Sequence, residues 1–265
     1  MLITSPQNPK IKSLKKLDKA SERRELGVFV IEGMRELCLA DWAGYEITQL
    51  FICDELITPD ETYNVQKCTL QGTELFNITK DVYESIAYRG TTEGVIATAH
   101  PKAHSLDQLK LSDNPLILVI EGVEKPGNLG AMLRTCDAAA VDAVIICDTK
   151  TDIYNPNAVR SSIGTVFTNQ IGIASTHEVI AFLKDNTIKT YAADLTASST
   201  HFNRDLSTPT AIIVGDEATG LSPQWIQSAD ECIKIPMLGR IDSLNVSVSA
   251  AILLYEAIRQ RATIH

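Results

Sequence analysis

Hydrophobic positions in the second half of the chain form short apolar runs that alternate with stretches of helical periodicity. Strands are predicted at 116–120, 143–146, 187–193, 209–214 and 232–235, and helices at 128–140, 157–167, 176–185, 222–228 and from 246 onward. The run Leu116-Ile-Leu-Val-Ile120 is typical of a strand buried on both faces. This repeated β-α alternation predicts an α/β fold with a mostly parallel sheet and helices on both of its faces.

The first hundred residues predict a second, smaller α/β domain. Ile11, Leu14 and Leu17 form an apolar stripe with lysines around it, which predicts a short basic amphipathic helix. The elements expected after it are strands at 28–31, 47–53, 65–70 and 94–99 and helices at 34–42 and 79–87. The polar stretch 100–115, with two prolines, is the best candidate for a boundary. We therefore expect domains at 1–105 and 106–265.

Charge is distributed unevenly along the 265 residues. The formal net charge of −9 argues at first against a nucleic-acid partner. Residues 1–24, however, carry seven basic and two acidic side chains, a net +5 that leaves −14 for the remainder. A solvated helix face explains most such charge runs. A basic arm on an acidic body can still bind phosphates, because local potential matters more than the total.

Several classes of protein and site are disfavoured. No apolar run reaches the roughly 20 residues of a membrane span, and no signal-peptide core follows the first residues, so we expect a cytoplasmic protein. The six cysteines form no CxxC pair, which favours free thiols. His100 and His104 are separated by Pro101 in the predicted linker, and we expect no metal site.

Polar loops follow three of the apolar runs. The last loop places Arg240, Asp242, Ser243 and Asn245 before the final helix, and either Ser243 or Asn245 can cap that helix through its side-chain oxygen. An ordinary capped C-terminal helix explains this loop by itself. The first loop, Gly122-Val-Glu-Lys-Pro-Gly-Asn-Leu-Gly130, does not match GxGxxG, which disfavours a Rossmann dehydrogenase.

Taken in order, three segments resemble the signature motifs of the SpoU/TrmH family of RNA 2′-O-ribose methyltransferases in the SPOUT superfamily. The matching segments are Asn128-x-Gly-x-x-x-Arg134, Gly215-x-Glu-x-x-Gly-Leu221, and Ile235-Pro-Met followed by Ser243-Leu-Asn-Val-Ser247. The resemblance implies a SPOUT catalytic domain with a deep trefoil knot, preceded by a domain like ribosomal protein L30e that binds the RNA substrate. It also implies S-adenosylmethionine as cofactor and a homodimer, with Tyr255 and Glu256 in packing and dimer contacts.

The resemblance further implies roles for individual residues. Gly215, Ile235 and Leu244 match positions whose backbone contacts S-adenosylmethionine. Arg134 matches an arginine assigned as the base that deprotonates the 2′-hydroxyl, but an arginine stays protonated in proteins. We therefore expect Arg134 to clamp a phosphate and stabilise the developing oxyanion. The remaining candidates are Asn128 for orienting the loop or the ribose, Glu217 and Ser243 for fixing the loop and the substrate, and Asn245 for capping the helix or binding the ribose or the cofactor.

The leading hypothesis is an S-adenosylmethionine-dependent RNA 2′-O-ribose methyltransferase that acts on ribosomal RNA, with transfer RNA as second choice. One alternative is a non-catalytic RNA-binding or ribosome-assembly protein on the same fold, which binding of the cofactor would distinguish. The other is a small-molecule α/β enzyme, for which residues 1–24 would not matter to activity.

Overall fold

The computed structural model describes residues 2–58, 65, 72–88 and 93–262. The chain forms two compact units. The first unit comprises residues 1–103 together with 152–168, and the second comprises 104–151 and 169–265. The predicted division into domains at 105/106 stays a prediction, and the contacts bring one later segment, 152–168, into the first unit.

The first unit contains a mixed sheet with strand order β1-β4-β3-β5-β2 among the described residues. Its strands are β1 (Leu2–Ile3), β2 (Phe29–Glu32), β3 (Ile47–Ile52), β4 (Glu74–Ile78) and β5 (Val95–Ala99), and its helices up to residue 103 are α1 (Pro9–Lys16), α2 (Ala20–Leu26), α3 (Met34–Trp42) and α4 (Lys80–Glu84). β1, β4 and β3 are parallel, whereas β5 is antiparallel to both of its neighbours.

The predicted amphipathic helix is confirmed as α1. Asn8 caps it, since its side-chain oxygen accepts a hydrogen bond from the Lys10 amide at 2.9 Å. Ile11 and Leu14 are buried in a core that includes Phe51 and Phe76. Helix α2 and strands β1 and β4 were not predicted. The strand predicted at 65–70 lies outside the described residues apart from Val65, which is helical.

The segment 152–168 departs from its predicted form. One helix was expected at 157–167, but the structure has two, α6 (Pro156–Ser161) and α7 (Thr165–Thr168). The break follows from positive φ angles of 51° at Ile163 and 86° at Gly164, which a continuous right-handed helix does not contain. The close approach of Glu36 and Leu39 also favours glycine, because a Cβ at Gly164 would lie 2.8 Å from Leu39 Cδ1.

Aromatic side chains hold the same segment within the first unit. The Tyr154 ring stacks on Phe29 with centroids 4.2 Å apart, and Phe167 lies 5.9 Å from the same ring. Arg23, only 4% exposed, forms an ion pair with Asp152 at 2.7 Å. These contacts explain why residues far along the chain group with the first hundred.

The second unit is built on a parallel sheet of order β10-β12-β9-β11-β6-β7-β8, which confirms the predicted parallel α/β architecture. Its strands are β6 (Leu116–Glu121), β7 (Ala143–Cys147), β8 (Ile171–Ala174), β9 (Lys189–Ala193), β10 (Ser199–Thr200), β11 (Thr210–Val214) and β12 (Glu231–Lys234), and its helices are α5 (Pro126–Ala138), α8 (Thr176–Asp185), α9 (Pro223–Ser228) and α10 (Val246–Ala262). Strands β8 and β10 were not predicted. Every residue of the adjacent strands β6 and β11 is buried, as expected for the middle of such a sheet.

Helix α10 packs against α5 and β11. Its predicted apolar face is buried and comprises Val246, Ala250, Leu253, Leu254 and Ala257. Since β6 leads into α5 and β11 ends near the second polar loop, this packing brings the starts of α5 and α10 near the carboxyl ends of the central strands, where parallel sheets bind ligands. Among the described residues, no helix has the length and apolar content needed to cross a membrane.

Candidate active site

The first motif occupies the end of β6 and the first turns of α5. Gly122, with φ of 65°, turns the chain away from the strand, and Pro126 occupies the first turn of the helix, where its missing N–H is not needed. Helix α5 buries Leu129, Met132, Leu133 and Cys136, the face that the sequence predicted. Asn128 lies in its first turn, and Arg134 lies on its exposed side.

The second motif forms a tight turn after β11. Asp216 and Gly220 pair across it through two backbone hydrogen bonds of 3.2 and 3.0 Å. The Asp216 carboxylate accepts hydrogen bonds from the Ala218 amide at 2.8 Å and the Thr219 amide at 3.1 Å. The Ala218 amide in particular lowers the pKa of Asp216. Glu217 is thereby presented at the tip of a rigid turn.

A chain of hydrogen bonds joins one residue from each motif. The Asn128 side-chain amide donates to Glu217 Oε1, and the Asn245 amide donates to Asn128 Oδ1 at 3.1 Å. Asn245 also caps α10, because its Oδ1 accepts the Ser247 amide at 2.9 Å. The two candidate caps left open by the sequence are thus resolved in favour of Asn245, and the three motifs meet at one place.

Arg134 lies on the same helix as Asn128, six residues further on, and its charge is uncompensated. The side chain is exposed and forms no hydrogen bond or ion pair with any part of the chain that the structure describes. Helical side chains lean toward the N-terminus of their helix, so the Arg134 side chain is expected to be directed toward the preceding turn of α5. The guanidinium and the positive end of α5 therefore both favour an anion in this region.

The third motif is a loop whose backbone donors and acceptors are available for hydrogen bonds to a ligand. From 236 to 244, no backbone N–H or carbonyl forms a hydrogen bond with another described backbone group. Ile235 precedes this stretch and Leu244 ends it, and both are half-buried, whereas Leu238 is 97% exposed. Free donors and acceptors on a loop between two apolar anchors fit the recognition of an adenine ring.

Ser243 is the candidate that the structure does not bring into the network. Its hydroxyl donates to Asp242 at 3.2 Å, and the side chain is otherwise exposed. The close backbone packing of the second motif requires glycine at position 215. A Cβ on Gly215 would lie 2.5 Å from the Gly220 carbonyl oxygen and 2.6 Å from the Leu221 nitrogen.

Sequence reasoning missed two residues that support these loops. Glu121, at the end of β6 and 7% exposed, accepts hydrogen bonds from the Ser222 amide and hydroxyl at 2.7 Å each and from the Thr176 hydroxyl at 3.1 Å. Lys150 forms ion pairs with Glu124 at 2.8 Å and Asp216 at 3.5 Å, so it links the first two motifs. Glu121 could have been recognised from the sequence as a carboxylate at the end of a wholly apolar run. Nothing in the sequence around Lys150 indicated its role.

Comparison with known proteins identifies the class. Residues 115–255 match the SpoU rRNA Methylase family, and residues 8–97 match the MRM3-like substrate binding domain. The 23S rRNA (guanosine(2553)-2'-O)-methyltransferase RlmP of Bacillus subtilis is 30% identical over 96% of this chain and 97% of its own length. The chain belongs to the SpoU rRNA methylase family, which confirms the family expected from the three motifs.

Solved structures agree with this assignment. A crystal structure described as an RNA 2'-O ribose methyltransferase is 39% identical, covers 99% of this chain and 100% of its own, and has a TM-score of 0.86. An rRNA methyltransferase from Sinorhizobium meliloti, solved with bound S-adenosylmethionine, is 27% identical with 98% and 97% coverage and a TM-score of 0.89. The predicted α/β fold with a parallel sheet, the enzyme class and the cofactor are confirmed.

Proposed function

We propose that this protein transfers a methyl group from S-adenosylmethionine to a ribose 2′-hydroxyl of ribosomal RNA. The observation that carries the proposal is the hydrogen-bonded chain of Asn128, Glu217 and Asn245, together with the uncompensated Arg134 on the same helix as Asn128. Bound S-adenosylmethionine supplies the electrophilic methyl group. The name of the 30% identical relative supports ribosomal RNA ahead of transfer RNA.

Arg134 would grip the phosphate next to the reacting ribose. A guanidinium offers a planar fork of donors that matches two phosphate oxygens, and it also stabilises negative charge that develops on the 2′-oxygen. The exposed side chain is free for this contact, because the described chain provides no acidic partner for it. Since an arginine keeps its proton, the 2′-hydroxyl proton goes to another acceptor.

The hydrogen bonds among Asn128, Glu217 and Asn245 would fix the positions of the three motifs relative to one another. Asn128 uses its donor on Glu217 and its acceptor on Asn245, so it ties the second and third motifs to the start of α5. Ile235, Leu244 and Gly215 would place backbone groups against the cofactor. Ser243 and its exposed loop would contact the substrate.

The basic first segment would contact RNA phosphates from the first unit. Deleting residues 1–24 does not test this, because Ile11, Leu14 and Leu17 are core residues and β1 pairs with β4. The exposed lysines of the segment are better targets. A K12A/K16A/K19A variant is expected to lower RNA affinity and to flatten its dependence on salt, by a slope of roughly 0.7–0.9 for each phosphate that the variant no longer neutralises.

Three finer features stay predictions: the trefoil knot, the cytoplasmic location and the homodimer. For the homodimer, α10 exposes Val248 and Tyr255, 45% and 49% accessible and two helical turns apart, on the side away from its buried face. Light scattering coupled to size-exclusion chromatography would measure the mass in solution, and a monomer at micromolar concentration would contradict this part of the proposal.

The deciding experiment separates cofactor binding from methyl transfer. Calorimetry with S-adenosylmethionine is expected to give micromolar binding for the wild type and, within about twofold, for Arg134→Ala. Transfer of labelled methyl groups to ribosomal RNA is expected to fall by roughly 10²–10³ in the variant, the usual effect of removing one donor that stabilises a developing oxyanion.

Matched variants sharpen the result. Arg134→Lys keeps the charge but loses the fork, so partial activity is expected. Lys184→Ala removes an exposed cation from the last turn of α8 and serves as a control without effect. Nuclease digestion and mass spectrometry of the RNA would show a 2′-O-methylnucleoside. Absence of S-adenosylmethionine binding by the folded wild type would refute the proposal.

A further inference from the structure

A cavity in the first unit is lined by residues other than those of the candidate active site. Its volume is about 310 Å³, at the lower end of the roughly 300–1,000 Å³ typical of ligand pockets. Its apolar wall includes Leu14, Val30 and Ile96, and its polar groups include Lys15, Asp18 and Glu32. Tyr88 also lines the cavity and is 56% exposed. Aromatic side chains usually bury a large part of their ring surface.

The Tyr88 ring is held by a cation on one side. The guanidinium carbon of Arg160 lies 4.4 Å from the ring centroid. Arg160 is itself fixed by a hydrogen bond of 3.0 Å to Asn157, while its Nε is buried and has no hydrogen-bond partner among the described residues. The backbone amide of Tyr88 donates to Glu32 at 2.9 Å. Arg160 therefore lies over one face of the Tyr88 ring, while 56% of the residue is exposed.

The charges around the cavity discriminate between possible occupants. The carboxylates of Asp18 and Glu32 disfavour a phosphate inside it, but they can accept hydrogen bonds from the amino and imino groups of a nucleobase. Lys15 also lines the cavity and is exposed on α1, within the segment 1–24 of net charge +5. An aromatic platform next to a basic surface is the usual arrangement for binding unpaired nucleotides.

We propose that this cavity binds one unpaired nucleobase of the substrate RNA, stacked on the free face of Tyr88, with its phosphate against Lys15. The inference rests on the proposed action on RNA, and it adds a nucleotide-binding site formed by residues of the first unit. Arg160 acts as a positioning residue that fixes the tyrosine ring before RNA binds, which reduces the ordering cost of stacking.

The test measures RNA affinity without S-adenosylmethionine. A fluorescein-labelled single-stranded RNA of mixed sequence is titrated with full-length protein by fluorescence anisotropy at several salt concentrations. Tyr88→Ala is expected to weaken binding about 5- to 150-fold, which corresponds to the ~1–3 kcal/mol of one stacked base. Its salt slope stays unchanged, because the substitution removes no charge. Tyr88→Phe keeps the ring and is expected to bind within about twofold of the wild type.

Two controls make the outcome decisive. Trp42, 77% exposed at the end of α3, is the matched exposed aromatic, and Trp42→Ala is expected to leave affinity unchanged. Ultraviolet crosslinking of the wild-type complex, read by peptide mass spectrometry, is expected to attach a nucleotide to the Tyr88 peptide; this measurement does not depend on how any variant folds.

The inference is overturned if Tyr88→Ala binds RNA within twofold of the wild type, or if Tyr88→Phe or Trp42→Ala loses as much RNA affinity as Tyr88→Ala. It is also overturned if the crosslinks avoid the Tyr88 peptide or if the wild type does not bind the RNA. Calorimetry with S-adenosylmethionine is performed on the same preparations. A wild type that binds the cofactor and methylates RNA while Tyr88→Ala has no effect would refute this site and leave the proposed function standing.

Discussion

Substituting Gly215 tests whether the second motif is held in one conformation by a close backbone approach. In Gly215→Ala, the new Cβ would lie 2.5 Å from the Gly220 carbonyl oxygen and 2.6 Å from the Leu221 nitrogen. Ordinary contacts for a carbon atom start near 3.4 Å, so the turn must open by nearly an ångström. Both atoms belong to the backbone, and no flexible side chain can move aside to relieve the clash.

The expected cost follows from this geometry. Inserting one methyl group into a site that cannot relax destabilises a protein by about 1–3 kcal/mol. For a protein of this size, that corresponds to a fall of roughly 2–12 °C in the unfolding midpoint. Gly215 is also a candidate for backbone contact with S-adenosylmethionine, so opening the turn is expected to lower the affinity for the cofactor by about tenfold, or about 1.4 kcal/mol.

The matched control is Gly239→Ala in the loop of the third motif. A Cβ at Gly239 meets no atom within 4 Å, and its φ is not in the left-handed region. Circular dichroism during heating and calorimetry with the cofactor would compare both variants with the wild type. Gly239→Ala is the reference for stability, and the wild type is the reference for cofactor affinity. A Gly215→Ala protein as stable as Gly239→Ala, with the cofactor affinity of the wild type, would show that the close approach does not constrain the site.

Three further predictions concern single side chains. Arg23→Ala removes a buried cation from an ion pair and is expected to lower the free energy of unfolding by about 3–5 kcal/mol in a denaturant titration. The control is Arg24→Ala at the exposed neighbouring residue, which is expected to change the free energy of unfolding by less than about 0.5 kcal/mol. Asn128→Ala removes one link of the network and is expected to slow methyl transfer about tenfold or more, the equivalent of one hydrogen bond; an unchanged rate would contradict its role. Arg259 lowers the pKa of Glu256 to about 2, below the ~4.3 of an unfolded chain, so this pair stabilises the fold above pH 4.3 and loses that effect as the pH falls toward 2. Glu256→Gln is therefore expected to lower the unfolding midpoint at pH 7 but not near pH 2, and a difference that persists at the lower pH would exclude this cause.

Local patterns predicted most elements because helices and strands depend on side-chain periodicity over a few residues. The helices at 34–42 and 176–185 have the predicted bounds, and the strands of the parallel sheet agree within a few residues. The two-residue strands Leu2–Ile3 and Ser199–Thr200 were missed, and so were the longer strands Glu74–Ile78 and Ile171–Ala174. The first of these longer strands alternates weakly, with two exposed residues at its start, and the second contains a glycine and borders polar residues, so neither stands out from a loop.

The broken helix at 157–167 shows where local reasoning fails. The sequence there is compatible with one helix, but the positive φ at Ile163 depends on packing against α3 through Gly164. Tertiary contacts decided the conformation, because they compensate the cost of a residue in the left-handed region. The same contacts placed 152–168 in the first unit. A single boundary between two continuous segments cannot describe a unit that consists of two separate parts of the chain.

The sequence by itself determined the α/β class, the capped start of α10 and the identity of the residues in the three motifs. Only the tertiary structure decided that Asn128, Glu217 and Asn245 form one network while Ser243 lies outside it. The side chains joined there are 89 and 117 residues apart, and no periodicity extends over such distances. Lys150 and the Tyr88–Arg160 pair likewise owe their positions to strands and helices that meet only when the whole core is buried.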